Sequence, residues 1–116
     1  SAELNAAKAQ VDAQLEYLRA TFRKGKRGVE SAQQTIISMD KAIALARDNA
    51  QNSKEEISYL RRQLVIGQST LESVLSAEAR LYDAESKEVG FIAERRLAEI
   101  KILAAMGLLS TTLDLR

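Results

Sequence analysis

The stretch Leu64-Val65-Ile66-Gly67-Gln68-Ser69-Thr70-Leu71-Glu72 decides the fold, because it ends one long helix and begins another within a few residues. Gly67 follows an apolar pair and can adopt a left-handed backbone at a helix C-terminus without a Cβ clash. Ser69 and Glu72 have the spacing of a capping box, which predicts that Ser69 caps the second helix. Such a short connection predicts an antiparallel helical hairpin with its tip at residues 66–69.

The segment before this turn has the heptad pattern of a coiled coil. One core position is apolar at every step: Leu15, Phe22, Val29, Ile36, Ile43, Ala50, Ile57 and Leu64. The other is mostly small in the middle: Leu18, Gly25, Ala32, Met39, Ala46, Ser53 and Leu60. The chain has no proline, so the first helix is expected over about 1–66. An irregularity is expected near 25–28, since each glycine in a helix interior costs about 1 kcal/mol.

The second helix is expected over about 70–106, where Gly107 and Leu108 have the pattern of a C-cap followed by a short tail. It carries two apolar stripes. The first contains large residues: Leu71, Leu75, Tyr82, Val89, Ile92, Ile100 and Leu103. The second is rich in alanine: Ala77, Ala84, Phe91, Ala98 and Ala105. A hairpin partner covers only one of them, and the alanine-rich stripe is expected to pack against further helices.

The first helix is longer than the second, so part of it is expected to lack a partner. Folded back from the tip, the second helix ends near Gly28, which leaves residues 1–24 uncovered although Leu4, Val11, Leu15 and Leu18 are apolar. The sequence therefore predicts an all-α, long antiparallel coiled-coil hairpin that self-associates.

Composition argues for one folding unit over residues 1–116 and against catalysis. The chain has 116 residues, 46% hydrophobic and 28% charged, with no His, Cys, Pro or Trp. Imidazole bases, thiol nucleophiles and the usual zinc ligands are therefore absent. The carboxylates stand among Lys and Arg at helical spacing, as solvated or paired charges do. No enzyme activity, catalytic residue, cofactor or metal site is expected.

Charge and hydropathy constrain the partners. The net charge is +1 and both signs are spread along the chain, which argues against nucleic-acid binding. The basic run of Arg23, Lys24, Lys26 and Arg27 is interpreted as a solvated part of the helix, with an anionic lipid or protein site as the lesser alternative. No apolar run approaches the roughly 20 residues that span a bilayer, so this segment is not expected to insert directly into a membrane.

The tip and the second helix together resemble the C-terminal repeat of TolC-like outer membrane factors, the exit ducts of tripartite efflux pumps and type I secretion systems. The resemblance covers residues 64–109. Two segments carry it: Gly67-x-x-Thr70-Leu71-x-x-Val74-Leu75-x-Ala77-x-x-x-Leu81-Tyr82-x-Ala84, and Ala104-Ala105-Met106-Gly107-x-Leu109.

The resemblance implies a periplasmic hairpin of an outer membrane protein that is trimeric in its full-length parent. In that family an outer membrane β-barrel continues into an α-helical tunnel across the periplasm, and this chain would be one hairpin of the tunnel wall. The family's β-strands would precede Ser1, since no alternating strand pattern is present here. The implied partners are a periplasmic adaptor protein and, through it, an inner-membrane transporter.

By the same resemblance, the tip residues Ile66, Gly67, Gln68 and Ser69 would face the adaptor. Candidate constriction residues, where family members often hold the aperture shut, are Leu64, Val65, Ser69 and Ser76. Leu64, Ser69 and Ser76 are uncharged and none is aromatic, unlike the family's usual residues. The aperture is therefore expected to close by apolar contacts around Leu64 and Val65 or by ion pairs from the other repeat of the parent protein. Two alternatives stay open: a free-standing coiled-coil scaffold or tether, and the hairpin of a periplasmic adaptor itself.

Overall fold

The computed structural model describes residues 1–113 and contains two helices joined by a tight turn. Helix α1 is Ala2–Val65 and helix α2 is Leu71–Thr112. No strand occurs in this part of the chain. The prediction of an all-α helical hairpin is confirmed. The chain divides into two compact units: Thr35–Arg96, called the tip unit below, and residues 1–34 with those from 97 onward, called the end unit.

The core of the tip unit follows the heptad positions predicted for α1. Ile43, Ala46, Ala50, Ser53 and Ile57 are all buried, and they alternate at spacings of three and four residues. From α2, the buried residues of this unit are Val74, Ala77 and Ala84. These residues form the seam, the line along which α1 and α2 pack against each other. Because most of them are small on both helices, the two backbones can approach closely.

The prediction for the two stripes of α2 was wrong, and the tip unit shows the reversal clearly. Ala77 and Ala84 are buried against α1, whereas Leu71, Leu75, Tyr82, Val89 and Ile92 are exposed. In the end unit Ala98 is likewise buried, while Ile100 and Leu103 are exposed. Two closely packed helices leave no room for large side chains on both sides of one seam. The small stripe therefore forms the seam and the large stripe faces outward.

Ion pairs flank the seam of the tip unit and specify the register of the two antiparallel helices. Arg47 Nε lies 3.0 Å from Glu88 Oε2, and Arg95 Nε lies 2.7 Å from Asp40 Oδ1. The later residue of α1, Arg47, pairs with the earlier residue of α2, as antiparallel helices require. Each pair has one well-exposed partner, so we expect it to contribute about 0.2–1 kcal/mol and to specify register more than stability.

In the end unit α1 is helical through Gly25 and Gly28, so the predicted irregularity at 25–28 is absent. A Cβ built on Gly25 would lie 3.0 Å from Leu109 Cδ2, whereas Gly28 has no such neighbour within 4 Å. Gly25 therefore lets Leu109 of α2 pack against the backbone of α1. The second helix was predicted to end near Gly28, but Leu109 lies at Gly25 and α2 continues to Thr112.

The predicted end of α2 at residue 106 was also wrong. Gly107 is an ordinary helical residue, and only Gly67 among the described glycines has a positive φ. The Thr111 hydroxyl donates to the Gly107 carbonyl oxygen at 2.9 Å, within a helix that continues to Thr112. Packing of half-buried Leu109 extends the helix beyond its sequence signal. Residues 114–116, part of the expected tail, lie outside the residues that the structure describes.

Residues 1–20 of α1 are exposed throughout. They include Leu4, Val11, Leu15 and Leu18, each at least one-third exposed. The expectation that residues 1–24 lack a partner within the chain is confirmed for residues 1–20, whereas Thr21 is half-buried.

The two end-unit glycines should respond oppositely to substitution. Gly25→Leu places a side chain where Leu109 packs, so we expect amide hydrogens of residues 104–112 to exchange faster. Gly28→Leu adds a good helix former in open space and should leave those amides protected while stabilising α1 by up to about 1 kcal/mol. Hydrogen exchange read by mass spectrometry measures both. Equal exchange of residues 104–112 in the two variants would contradict the packing role of Gly25.

Candidate functional site

The tip turn is held by two backbone hydrogen bonds of a Schellman motif. The Gln68 N–H donates to the Gln63 carbonyl at 2.7 Å, and the Gly67 N–H donates to the Leu64 carbonyl at 3.1 Å. Gly67 has a φ of 76°, the left-handed conformation that this motif requires. The prediction that Gly67 ends α1 is confirmed, and helix α1 ends at Val65, one residue before its predicted limit.

The N-cap of α2 is Thr70, one residue later than predicted. The Ser73 N–H donates to Thr70 Oγ1 at 3.1 Å, and the hydroxyls of these two residues lie 2.9 Å apart. The Ser69 hydroxyl instead donates to the Leu60 carbonyl at 2.7 Å. The capping box between Ser69 and Glu72 was therefore assigned wrongly. The hydroxyls of Ser69 and Thr70 were both possible caps, and the geometry of the turn places that of Thr70 at the start of α2.

These hydrogen bonds hold an apolar surface at the end of the hairpin. Val65 is 86% exposed and Ile66 is 65% exposed, with exposed Leu71 beginning α2 a few residues later. Gly67 and Gln68 are also exposed, whereas Ser69 is half-buried with its hydroxyl bonded inside the turn. The structure thus brings together the tip residues expected to bind a partner. It adds Leu71, which belongs to the large stripe of α2.

The candidate constriction residues divide into two pairs. Leu64 occupies a half-buried heptad position in the hairpin seam, and Ser69 bonds to the Leu60 carbonyl. Val65 and Ser76 are exposed and are therefore available to another molecule. A gating role for any of the four stays a prediction.

A groove near the tip runs beside the seam and was not predicted from the sequence. It has a volume of about 690 Å³, with buried Ile57 and half-buried Leu81 at its base. Lys54 and Arg61 of α1 line one wall, and Glu78 and Glu85 of α2 line the other. One wall is therefore basic and the other acidic.

The two walls of this groove are joined at one end only. Arg61 forms an ion pair with Glu78, whereas no ion pair joins Lys54 to Glu85 among the residues that the structure describes. The charge pattern could have been read from the heptad, since Arg47, Lys54 and Arg61 recur every seven residues. What the sequence does not specify is that the side chains leave an open groove.

A second groove of about 470 Å³ lies in the tip unit and has a different character. Small residues form much of its surface, including buried Ala46, Ser53 and Ala84. Asn49 and Asn52 contribute amides, and Arg80 forms an ion pair with Glu56 at 2.6 Å beside it. The two grooves give the tip unit two chemically distinct surfaces.

Within residues 1–113, no group of acidic side chains is arranged to hold a metal ion. Over the same range neither helix contains an apolar stretch sufficient to span a bilayer. Comparison with protein-family models, with curated proteins and with solved structures gives no match to this chain.

Gly67 should be the residue of the tip most sensitive to substitution. Gly67→Ala should lower the free energy of unfolding by about 1–2 kcal/mol, because a Cβ is strained at this positive φ. Gly67→Asn should cost less, since asparagine tolerates the left-handed region. Urea unfolding followed by circular dichroism measures both. An alanine variant as stable as the asparagine variant would show that the left-handed turn is not required.

Proposed function

We propose that this chain is the tunnel-wall and adaptor-docking hairpin of a TolC-like export duct, the periplasmic portion of a bacterial outer membrane protein. It would act without catalysis, by building part of a wall and presenting a tip to a periplasmic adaptor. An inner-membrane transporter coupled to that adaptor would supply energy and choose the substrate. The motifs at residues 67–84 and 104–109 are the sequence basis of this proposal.

The observation that carries the proposal is the exposed apolar tip on a hydrogen-bonded turn. Val65 and Ile66 are exposed next to the turn that Gly67 forms. A surface loop without a binding role would be expected to carry polar residues at these positions. Two backbone hydrogen bonds already order the turn that presents these side chains, so docking would cost little backbone entropy. A tip of this kind supports docking of another protein.

The groove beside the tip supports a helical partner. Helices that bind grooves place apolar side chains into the groove at intervals of three and four residues. Here Ile57 and Leu81 would receive them, while Lys54 and Glu85 present opposite charges on the two walls. A helix with acidic residues on one flank and basic residues on the other matches this pattern. The hairpin of a periplasmic adaptor would provide such a helix.

The outward stripe of α2 supports a place in a wall. Tyr82 is 76% exposed and Val89 is 69% exposed, and Leu75 on the same helix is also exposed. A helix that is apolar both at the seam and on its outer side is typical of helices with more than one neighbour. In a tunnel wall, adjacent hairpins would cover this stripe.

Photo-crosslinking in the protein as its own cells make it tests the docking site. A photoreactive amino acid at Gln68 should capture a periplasmic adaptor, identified by mass spectrometry. The same amino acid at Lys41, which is exposed on α1 away from the tip, is the control and should not capture it. Capture of a cytoplasmic partner from Gln68, or of none, would overturn the proposal and favour a free-standing scaffold.

A substitution at the tip should weaken this capture. Ile66→Ser removes an exposed apolar side chain from the docking surface, and its burial in a complex would be worth about tenfold in affinity. Ile37→Ser removes an exposed isoleucine of α1, away from the tip turn, and serves as the matched control. The crosslinking yield from Gln68 should fall in the first variant alone. Equal yields in the two variants would show that Ile66 is not a docking residue.

A further inference from the structure

The Ser69 hydroxyl ties the beginning of α2 to α1. It donates to the Leu60 carbonyl oxygen at 2.7 Å, and the two residues are nine positions apart in the chain. Both are half-buried, so the bond is partly sheltered from solvent. Ser69 stands just before Thr70, the N-cap of α2. The bond therefore links the residue that precedes the second helix with the last turns of the first.

The other hydrogen bonds of the tip do not make this link. The two Schellman bonds hold Gly67 and Gln68 against the end of α1. The bonds between Thr70 and Ser73 lie within the first turn of α2. Among the residues that the structure describes, no further hydrogen bond runs from Ser69 or Thr70 to α1. The start of α2 is thus held to α1 by the Ser69 hydroxyl more directly than by any other polar group of the turn.

The Leu60 carbonyl does not need this hydroxyl to be satisfied. Helix α1 continues to Val65, and in a regular helix each carbonyl accepts the N–H four residues further on. Loss of the Ser69 hydroxyl would therefore leave no unpaired carbonyl, which keeps the cost modest. A chain without this hydroxyl should still fold as a hairpin, so its effect on the tip can be measured in the folded state.

The turn divides the apolar surface of the tip into two parts. Val65 and Ile66 come from the end of α1, and Leu71 comes from the first turn of α2; all three are exposed. A partner that touches both parts meets them in one arrangement only if the two helix ends are held together. The Schellman bonds order the α1 side, and the bond from Ser69 orders the α2 side.

We propose that Ser69 is a positioning residue of the tip. Its bond to the Leu60 carbonyl holds the first turn of α2 in place, and Leu71 then forms one docking surface with Val65 and Ile66. A partner would contact these apolar side chains, whereas the hydroxyl acts within the turn. This role differs from the direct contact that the family resemblance implies for Ser69. The inference rests on the proposed docking function, but the ordering of the tip is a property of the chain alone.

Hydrogen exchange of the full chain, read by mass spectrometry, tests the ordering of the tip. Ser69→Ala should make the amide hydrogens of residues 70–76 exchange about fivefold faster, the factor that one side-chain hydrogen bond is worth. Ser69→Thr keeps a hydroxyl and should return exchange to the rate of the parent chain. An alanine variant that exchanges like the parent, or a threonine variant that exchanges like alanine, would overturn the proposal.

Two matched controls separate positioning from a general loss of stability. Ala44→Gly lies at an exposed site inside α1 and should shift the unfolding equilibrium by a similar factor, about fivefold, through helix propensity alone. Ser86→Ala removes an exposed hydroxyl of α2 away from the tip. Both should leave exchange of residues 70–76 near the parent rate. If Ala44→Gly accelerated that exchange as much as Ser69→Ala, the positioning role would be overturned.

Photo-crosslinking from Gln68, in the protein as its own cells make it, tests the consequence for docking. Ser69→Ala should lower capture of the adaptor about fivefold, because a loosened tip must be ordered on binding. Ser69→Thr should restore the capture, and Ala44→Gly should leave it unchanged. Equal capture by the parent and by Ser69→Ala would overturn the positioning role.

The two measurements distinguish failure of this inference from failure of the export-duct proposal. If the parent chain captures no adaptor from Gln68, the export-duct proposal fails, and hydrogen exchange alone decides whether Ser69 orders the tip. If the parent and Ser69→Ala capture the adaptor equally, the docking function stands and the role assigned to Ser69 is wrong.

Discussion

The close approach of two helices through small side chains is the constraint on which the rest of this structure depends. Ala46 and Ala50 of α1 and Ala77 and Ala84 of α2 are buried at the seam of the tip unit. Because a seam this narrow cannot hold two rows of large residues, the large apolar stripe of α2 must face outward. The exposed apolar surface follows directly from how the hairpin is closed. Because alanines form most of the α2 side of the seam, large apolar residues such as Leu75 and Val89 stay exposed.

The first helix could be predicted closely, and the second could not. In α1 each heptad position carries one consistent type of residue, and the buried positions from Ile43 to Ile57 match it. In α2 two stripes compete, and hydrophobicity alone favours the large one as the core. Which stripe of α2 forms the seam depends on its fit to the surface of α1. The pattern within α2 alone carries no information on that fit. The same limit explains the site: Gly67 identified the turn, but the groove between Lys54 and Glu85 depends on side-chain placement across two helices.

Charged residues in the tip unit specify the register of the two helices, which burial of small side chains does not. A seam of small, similar residues would permit register slips, because one alanine layer resembles the next. Ion pairs such as Arg47–Glu88 and Arg80–Glu56 penalise a slip by separating opposite charges. Their individual stabilities are small, yet they distinguish one alignment from its neighbours. The opposite charges of Lys54 and Glu85 on the two groove walls would orient a helix that bound between them.

Three glycines of the chain show that one residue type serves different physical purposes in one fold. Gly67 is required by its backbone conformation, because its φ of 76° ends α1. Gly25 is favoured by packing, because a Cβ there would crowd the side chain of Leu109. Gly90 has neither reason within the described residues, since its surroundings are open and it lies inside a regular helix. A glycine inside a helix is about 1 kcal/mol less favourable than alanine, so Gly90 carries a cost that no contact among the described residues explains.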